Sequence, residues 1–223
     1  VKWLITDDNF VYPTEEELFR KKIIQRFIAT LLYFSLKGEV WIYRAGFLDP
    51  DLDECSWSVF DSGGSVGLTC NPDGEVNRVR LDRIGVSGKI PYEIGNMTEL
   101  EMFHVIGGTI GGTIPESMSK LEKLYYFRVG FNKLEGTIPE GFANLKMMFS
   151  AGFQGNENLH GFNVLCDLVG TGMLNSLTAD CNVNVTNPER CECCTTCCDL
   201  DLKVCCLTKS DPEVERCYDP TPW

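Results

Sequence analysis

Apolar residues recur every 24 positions through the middle of the chain. The first apolar residues of four successive segments align without a gap: Val76, Leu100, Leu124 and Met148. Further apolar side chains follow three and five positions later, at Val79, Phe103, Phe127 and Ala151, and at Leu81, Val105, Val129 and Phe153. A glycine followed by x-Ile-Pro also recurs, at Gly88, Gly112 and Gly136. This register predicts one short strand in each 24-residue repeat.

A single repeat of this kind cannot bury its own apolar side chains. Neighbouring repeats must stack, so that equivalent residues form ladders and share one core. The glycine lets the chain turn where a Cβ would obstruct its path. The proline then fixes φ on the return segment and offers no donor to a sheet. The pattern predicts a solenoid of about four repeats, which with its C-terminal cap spans residues 76–181.

The repeat resembles the plant-type leucine-rich repeat, with the pattern GxIPxxIxxLxxLxxLxLxxNxLxGxIP, and its period lies within the 20–29 residues of that class. Residues 124–147 match best, with Asn132 and Leu134 in place. Ile84 and Gly108 stand where the pattern has Asn, so those two turns need other partners. The flanking segments contain WLITDD at residues 3–8 and CECCTTCC at residues 191–198, and they are similar to those of short secreted or cell-surface leucine-rich-repeat proteins of diatoms and related algae. The resemblance implies an α/β leucine-rich-repeat solenoid.

A helix is predicted before the repeats, from Thr14 to about Leu36. Thr14 and Glu17 have the spacing of a capping box, and Gly38 marks the end. Six apolar residues fall on one helical face: Ile23, Ile24, Phe27, Ile28, Leu31 and Leu32. We expect this face to cover the open core edge of the first repeat; a partner or membrane surface is the alternative. Residues 1–75 are therefore predicted to form an N-terminal helix and disulfide cap.

Twelve cysteines in 223 residues indicate an oxidising compartment and a disulfide framework. Cys55 and Cys70 bracket Trp57 in an arrangement that resembles the N-terminal cap of plant-type repeat proteins. That resemblance implies a disulfide between them, and a similar C-terminal motif implies a disulfide between Cys166 and Cys181.

Residues 182–223 form a predicted cysteine-rich tail, in which cross-links replace a core. Its eight cysteines are Cys191, Cys193, Cys194, Cys197, Cys198, Cys205, Cys206 and Cys217. Disulfides of open connectivity are expected among them. The alternative is a zinc site, because Cys194 and Cys197 have the CxxC spacing of metal ligands.

Charge and motifs narrow the classes of function. The net charge of −12 argues against binding to nucleic acid or to an anionic membrane. Two acceptor sequons predict N-glycosylation of Asn96 and Asn184, in keeping with the secretory pathway. The two histidines belong to no catalytic motif. We therefore expect no enzymatic activity, no cofactor and no resident metal.

The strand positions that alternate with the core ladder form rows on the predicted concave face. Six of these residues are candidates for ligand binding: Arg78, Arg80, Met102, His104, Tyr126 and Arg128. Arg80, His104 and Arg128 would form a basic row suited to carboxylate, sulfate or phosphate, because arginine offers such oxygens a planar fork of donors. The alternative is that these arginines only pair with Asp82, Glu101 or other acidic neighbours.

The sequence thus favours an extracellular or cell-surface interaction module that binds a protein, a peptide or an acidic glycan through its concave face. One alternative is a structural glycoprotein of an extracellular assembly or filament. A weaker alternative is an inhibitor of a secreted hydrolase, by resemblance to the plant polygalacturonase-inhibiting proteins.

Overall fold

The structure is a computed structural model that describes residues 2–171, 173–181, 191, 193–199, 204–207 and 217–218, with the backbone alone at 204, 206, 217 and 218. Its α-helices are α1 (Lys2–Thr6), α2 (Glu16–Ser35) and α3 (Cys166–Gly170). Its 3₁₀ helices are Gly38–Val40, Glu54–Ser56, Tyr92–Asn96, Glu116–Lys120, Glu140–Asn144 and Phe162–Leu165. Its strands are β1 (Ser58–Asp61), β2 (Gly64–Cys70), β3 (Val76–Arg80), β4 (Ser87–Gly88), β5 (Met102–His104), β6 (Thr109–Gly112), β7 (Tyr126–Arg128), β8 (Lys133–Thr137), β9 (Ser150–Gly152), β10 (Asn158–His160), β11 (Ser176–Asp180), β12 (Thr196–Asp199), β13 (Val204–Leu207) and β14 (Cys217–Tyr218).

The repeat strands lie side by side in one ten-stranded sheet, in the order β1-β2-β3-β5-β7-β9-β11-β12-β13-β14. From β3 to β12 the neighbours run parallel, and the pairs at both ends of the sheet are antiparallel. Arg78 pairs with Met102, which pairs with Tyr126. These partners are 24 residues apart, so the register predicted from the sequence is confirmed.

A second sheet lies on the return path of the repeats. Its four short strands pair in parallel in the order β10-β8-β6-β4. In each of the first three repeats a 3₁₀ helix follows, and the residue directly before it is Pro91, Pro115 or Pro139. Proline suits this place because its fixed φ prepares the turn and its missing N–H is not needed there.

The ladder side chains form one continuous core. Phe103 and Phe127 are fully buried and stack with 5.9 Å between ring centroids. The same cluster of buried residues extends from Ile28 in α2 to Cys194 in the tail. Stacking of the repeats therefore buries apolar side chains that one repeat alone could not bury. Because this core is continuous across residues 75/76 and 181/182, the domain boundaries expected there remain predictions.

The turns that lack the pattern's asparagine use other partners, as expected. In the first turn, the carbonyl of Ile84 accepts a hydrogen bond from the Ile42 N–H of the cap, at 2.8 Å. In the second, Asn132 of the next repeat donates to the Val105 carbonyl and accepts from the Ile110 N–H. A neighbouring segment thus satisfies the backbone groups of both turns.

Helix α2 differs from its prediction at its start and on its buried face. The residue that precedes it is Glu15, without a side-chain capping bond, so the capping box predicted at Thr14 and Glu17 is wrong. Thr14 lies one residue before the N-cap, the position whose side chain can accept from the first free N–H groups of a helix. Ile23 and Ile24 are exposed, and the buried apolar face is Ile28, Ala29, Leu32 and Tyr33.

The C-terminal half of α2 makes the contact with the first repeat. The Ser35 and Leu36 carbonyls at its end accept hydrogen bonds from Lys89 and Ser87. Gly38 is needed just beyond, because a Cβ there would overlap the ring of Tyr33. The helix covers the core edge as predicted, with its last turns and not along its whole length. In the described chain, no helix combines the length and apolarity needed to cross a membrane.

The disulfides confirm one predicted pair and correct another. Cys55 is bonded to Cys70, as expected. The pair Cys166–Cys181 is wrong: Cys166 is bonded to Cys193, and Cys181 to Cys197. The reason is that β12 of the tail pairs with β11, which places Cys197 opposite Ala179 and close to Cys181.

The tail is thereby joined to the last repeat. Two more disulfides lie within it, Cys191–Cys194 and Cys198–Cys205. Both thiols of the predicted zinc spacing, Cys194 and Cys197, are therefore engaged in disulfides. Cys206 and Cys217 face each other in the backbone register of β13 and β14, and their bonding stays a prediction. Asn184, the second predicted glycosylation site, lies outside the described residues.

Candidate ligand-binding face

Strand alternation places all six predicted face residues in two adjacent rows. The flanking positions of each strand point away from the core ladder of Val79, Phe103 and Phe127. The first row is Arg78, Met102, Tyr126 and Ser150, and the second is Arg80, His104, Arg128 and Gly152. The sequence predicted this juxtaposition, but the charge state of the second row differs from the prediction.

Arg80 uses its charge inside the fold. Its Nε lies 2.9 Å from Asp82 Oδ2, and its Nη1 lies 3.1 Å from Asp61 Oδ1. Burial disfavours the charged guanidinium, but the hydrogen bonds that it donates to both carboxylates outweigh this effect and raise the pKa of Arg80. At Arg80, therefore, the alternative interpretation is correct: the arginine pairs with acidic neighbours of the fold. Asp82 was anticipated as a partner, and Asp61 on the β1–β2 hairpin was not.

His104 adds no positive charge to the row at neutral pH. Burial lowers its pKa to about 4, against the attraction of Asp82 and with the added repulsion of Arg128 and Arg80. Its Nε2 is buried, and within the described residues it has no hydrogen-bond partner. The ring meets Tyr126 edge to face at 6.0 Å. The continuous basic row expected from the sequence is thus interrupted by a neutral imidazole.

Arg128 and Arg78 keep their charges exposed. The Arg128 guanidinium donates to Ser150 Oγ from Nε at 3.3 Å and from Nη2 at 3.1 Å, and it lies 5.9 Å from the Tyr126 ring centroid. A hydroxyl is a neutral partner and leaves the cation uncompensated. Neither arginine forms an ion pair with any carboxylate in the part of the chain that the structure describes.

A depression of about 200 Å³ adjoins Arg128 on the side of the last repeats. Polar side chains line most of it: Arg128, Ser150, Gln154, Ser176 and Thr178. The Oε1 of Gln154 is buried there without a hydrogen-bond partner among the described residues. Gly130 leaves space for the Gln154 side chain at the base of the depression, because an added Cβ would crowd it. The arrangement offers a cation, several hydroxyls and a free carbonyl oxygen to one small polar group.

Of this lining, only Arg128 is among the six residues predicted from the sequence. Gln154 lies in the 24-residue register, 24 positions after Gly130, but it is not among the six residues predicted to bind a ligand. Ser176 and Thr178 pair with Ser150 and Gly152 across strands β11 and β9. They follow Ser150 and Gly152 by 26 positions instead of 24, so the 24-residue register does not align them with the face residues.

The other predicted sites lie apart from this face. Asn96 is exposed at the end of the 3₁₀ helix Tyr92–Asn96, which is no part of the sheet. No group of three or more His, Cys, Asp or Glu side chains suited to a metal ion occurs among the residues described.

Comparisons with known proteins agree on the fold. No protein-family model matches the sequence, and no curated protein matches it. The solved ectodomain of BIR2 from Arabidopsis thaliana is similar at 22% identity and a TM-score of 0.55, over 70% of this chain and 80% of that one. The leucine-rich-repeat ectodomain of the receptor kinase SOBIR1 from the same plant is similar at 19% identity and 0.52, over 69% and 77%.

A third similar structure is that of a much longer protein. The leucine-rich-repeat ectodomain of the receptor kinase GASSHO1/SCHENGEN3 from Arabidopsis thaliana matches at 21% identity and a TM-score of 0.54, over 70% of this chain and 18% of that one. The fold is therefore that of a plant-type leucine-rich-repeat ectodomain, an α/β solenoid with an N-terminal helix and a disulfide-rich C-terminal region.

Proposed function

We propose that the chain is an extracellular or cell-surface interaction module whose concave face binds an acidic segment of a protein or peptide, or an acidic glycan, without covalent chemistry. The observation that carries this proposal is the Arg128 guanidinium, which is exposed beside a polar depression and, among the described residues, hydrogen-bonds only to the Ser150 hydroxyl. The centre of the site is therefore in the third and fourth repeats, and not at Arg80.

The chemistry of the lining defines the ligand class. The guanidinium presents parallel donors that match the oxygens of a carboxylate or sulfate. Gln154 Oε1, which has no partner in the part of the chain that the structure describes, can accept a hydrogen bond from a peptide N–H or a sugar hydroxyl. Tyr126 and Met102 add partly exposed apolar area along the first row. We infer a ligand that carries an anionic group next to a hydrogen-bond donor.

Two further observations support this proposal. The GASSHO1/SCHENGEN3 ectodomain was solved in complex with CASPARIAN STRIP INTEGRITY FACTOR 2, so a protein of this fold carries a binding surface. Five disulfides among the described cysteines favour an oxidising, extracellular setting. The narrower resemblance to algal secreted repeat proteins belongs to the same proposal.

The test is a binding screen with charge-reversed variants. The secreted protein is screened on an array of sulfated and carboxylated glycans and on a library of acidic peptides. Arg128→Glu is expected to weaken capture of any hit at least about tenfold, a loss of roughly 1.4 kcal/mol. Lys89→Glu, an exposed position outside the large sheet, makes the same charge change as a control. Equal capture by both variants would refute the site, provided that their unfolding midpoints match that of the parent protein.

An assembly role is the second candidate, and one observation favours it. β1 is the end strand of the large sheet, and Phe60 on it is 87% exposed. Exposed apolar end strands pair with other chains unless they are protected. If the chain polymerises through this end, light scattering on native material will show large species that Phe60→Asp disperses. Monomeric native material would exclude this role.

A further inference from the structure

A second concavity lies away from the ligand-binding face, between helix α2 and the first repeat. This groove has a volume of about 230 Å³. Lys21 and Ile24 line it on the helix side, and Glu75, Asn96 and Glu99 line it on the side of the repeat. Ile24 is 49% exposed, although it belongs to the apolar face of the helix. The helix packs on the repeat with its C-terminal half, so this part of its apolar surface is left open.

The acceptor sequon of the first repeat opens onto this groove. Asn96 ends the 3₁₀ helix Tyr92–Asn96, its side chain is exposed, and it makes no side-chain hydrogen bond to any described residue. Met97 is buried and Thr98 is exposed, so the two polar residues of the sequon both remain accessible. In the next two repeats the equivalent positions are Lys120 and Asn144, and neither begins a sequon. Among these three repeats, only the one that borders α2 has an N-glycosylation sequon at this position.

We propose that Asn96 carries an N-linked glycan whose innermost N-acetylglucosamine lies in this groove and covers Ile24. The groove is smaller than the roughly 300–1,000 Å³ of pockets that bury drug-sized ligands, so it suits one sugar unit and not a chain. The apolar face of the sugar ring packs on Ile24. Its hydroxyl and acetamido groups form hydrogen bonds with the Glu75 and Glu99 carboxylates and with the Lys21 ammonium, which all border the groove.

The covalent step is the standard transfer to an asparagine amide. The Nδ2 of Asn96 forms a bond to C1 of the sugar, the bond from C1 to a lipid-linked pyrophosphate breaks, and the amide loses one proton. The donor is a lipid-pyrophosphate-linked oligosaccharide. This inference rests on the extracellular destination in the proposed function but not on the ligand site, since Asn96 is no part of the large sheet.

The experiment compares hydrogen exchange in glycosylated and unglycosylated protein secreted from a eukaryotic host. Thr98→Ala removes the sequon, and Thr98→Ser keeps it as a matched control. Peptide mass spectrometry reports the occupancy of Asn96 and Asn184. We expect the peptide around residues 21–27 to exchange about threefold more slowly in the parent and in Thr98→Ser than in Thr98→Ala, because covered helix turns open less often. Trimming the native glycan to one N-acetylglucosamine should preserve that protection.

Each outcome bears on the proposal separately. An occupied Asn184 with a bare Asn96 would overturn the inference and leave the extracellular destination intact. Occupied Asn96 with equal exchange in all proteins would show that the sugar projects into solvent, which also overturns it. Protection that disappears on trimming would assign the cover to outer sugars and contradict the proposed placement. Ile24→Ser, with the glycan retained, should lose most of the difference in exchange.

Discussion

Arg26 and Asp8 form an ion pair in which both side chains are fully buried, with 2.6 Å between Nη2 and Oδ1. Arg26 Nη1 also lies 3.2 Å from Glu54 Oε2, and the guanidinium lies 4.7 Å from the Phe10 ring centroid and 4.9 Å from that of Trp57. Burial raises the pKa of Asp8, but hydrogen bonds from Arg26, Tyr12 and Phe10 outweigh it and hold the pKa below its ordinary value. The pair anchors the N-terminal segment to helix α2.

Arg26→Met is expected to destabilise the protein by about 3–5 kcal/mol, because it leaves the Asp8 carboxylate buried without its cationic partner, whereas Glu54 keeps its contact with Lys22. The free energy of unfolding in urea measures this loss. The double variant Arg26→Met with Asp8→Asn should recover part of it, since one orphaned charge is then removed. A loss below about 1 kcal/mol, the range of exposed ion pairs, would contradict the buried pair.

His104 predicts a specific pH dependence of stability. The unfolded chain binds a proton at this residue below about pH 6.5, whereas the folded protein binds it only below about pH 4. Stability should therefore fall as the pH decreases through that window, by at most about 1.4 kcal/mol per pH unit from this residue. His104→Gln should remove that part of the slope in unfolding measured between pH 4.5 and 7.

The comparison with the variant isolates His104 from other groups. Burial raises the pKa of Asp180, which adds a slope of opposite sign that both proteins share. Asp82, Arg80, Arg128 and Tyr126 surround the imidazole in both proteins as well. Identical pH profiles for parent and variant would mean that His104 titrates normally in the folded state.

The Cys166–Cys193 disulfide predicts a defined result in peptide mapping. Non-reduced digests should yield a cross-linked peptide with Cys166 and Cys193, and another with Cys181 and Cys197. Cys166→Ala should free the thiol of Cys193 and not that of Cys181. The loss of this cross-link should cost about 3.5 kcal/mol on the chain-entropy model for a loop of its length. A peptide joining Cys166 to Cys181 would restore the pairing expected from the sequence.

Asn132→Ala should destabilise the protein by about 2–4 kcal/mol, because several buried backbone groups lose their partner. The Asn132 amide donates to the carbonyls of Val105, Val129 and Gly130, and its oxygen accepts from the Ile110 N–H at 3.1 Å. Asn144→Ala, at an exposed position, is the matched control and should change stability by less than about 0.5 kcal/mol. Chemical denaturation of both variants checks the difference; equal effects would contradict a structural role for the Asn132 side chain.

Much of the fold follows from local rules that operate within one repeat. A strand alternates its side chains with a period of two, and each repeat places Val79, Phe103 or Phe127 at the same step of that alternation. Equivalent residues must then stack, so the core ladder and both rows of the concave face were predictable. The face residues Arg78, Met102 and Tyr126 occupy the row expected for them.

The charge pattern of the site was not predictable in the same way. Arg80 pairs with Asp82, a partner that the sequence offered, but also with Asp61 from a hairpin whose position depends on how the cap folds onto the first strand. His104 is neutral because neighbouring strands bury it, and burial is a property of the assembled sheet. The number of arginines available to a ligand was therefore fixed by contacts between segments that are distant in the sequence.

The sequence by itself determined the period, the strands and the ladder core, because those depend on spacings of a few residues and on the stacking of identical units. Only the tertiary structure decided which cysteines pair, which arginines of the concave face have no ion pair among the described residues, and which face of α2 is buried. Cys166 bonds to Cys193 and not to Cys181 because a tail strand joins the sheet beside β11. The order in which distant segments meet is set by the packing of the whole chain, and no local pattern encodes it.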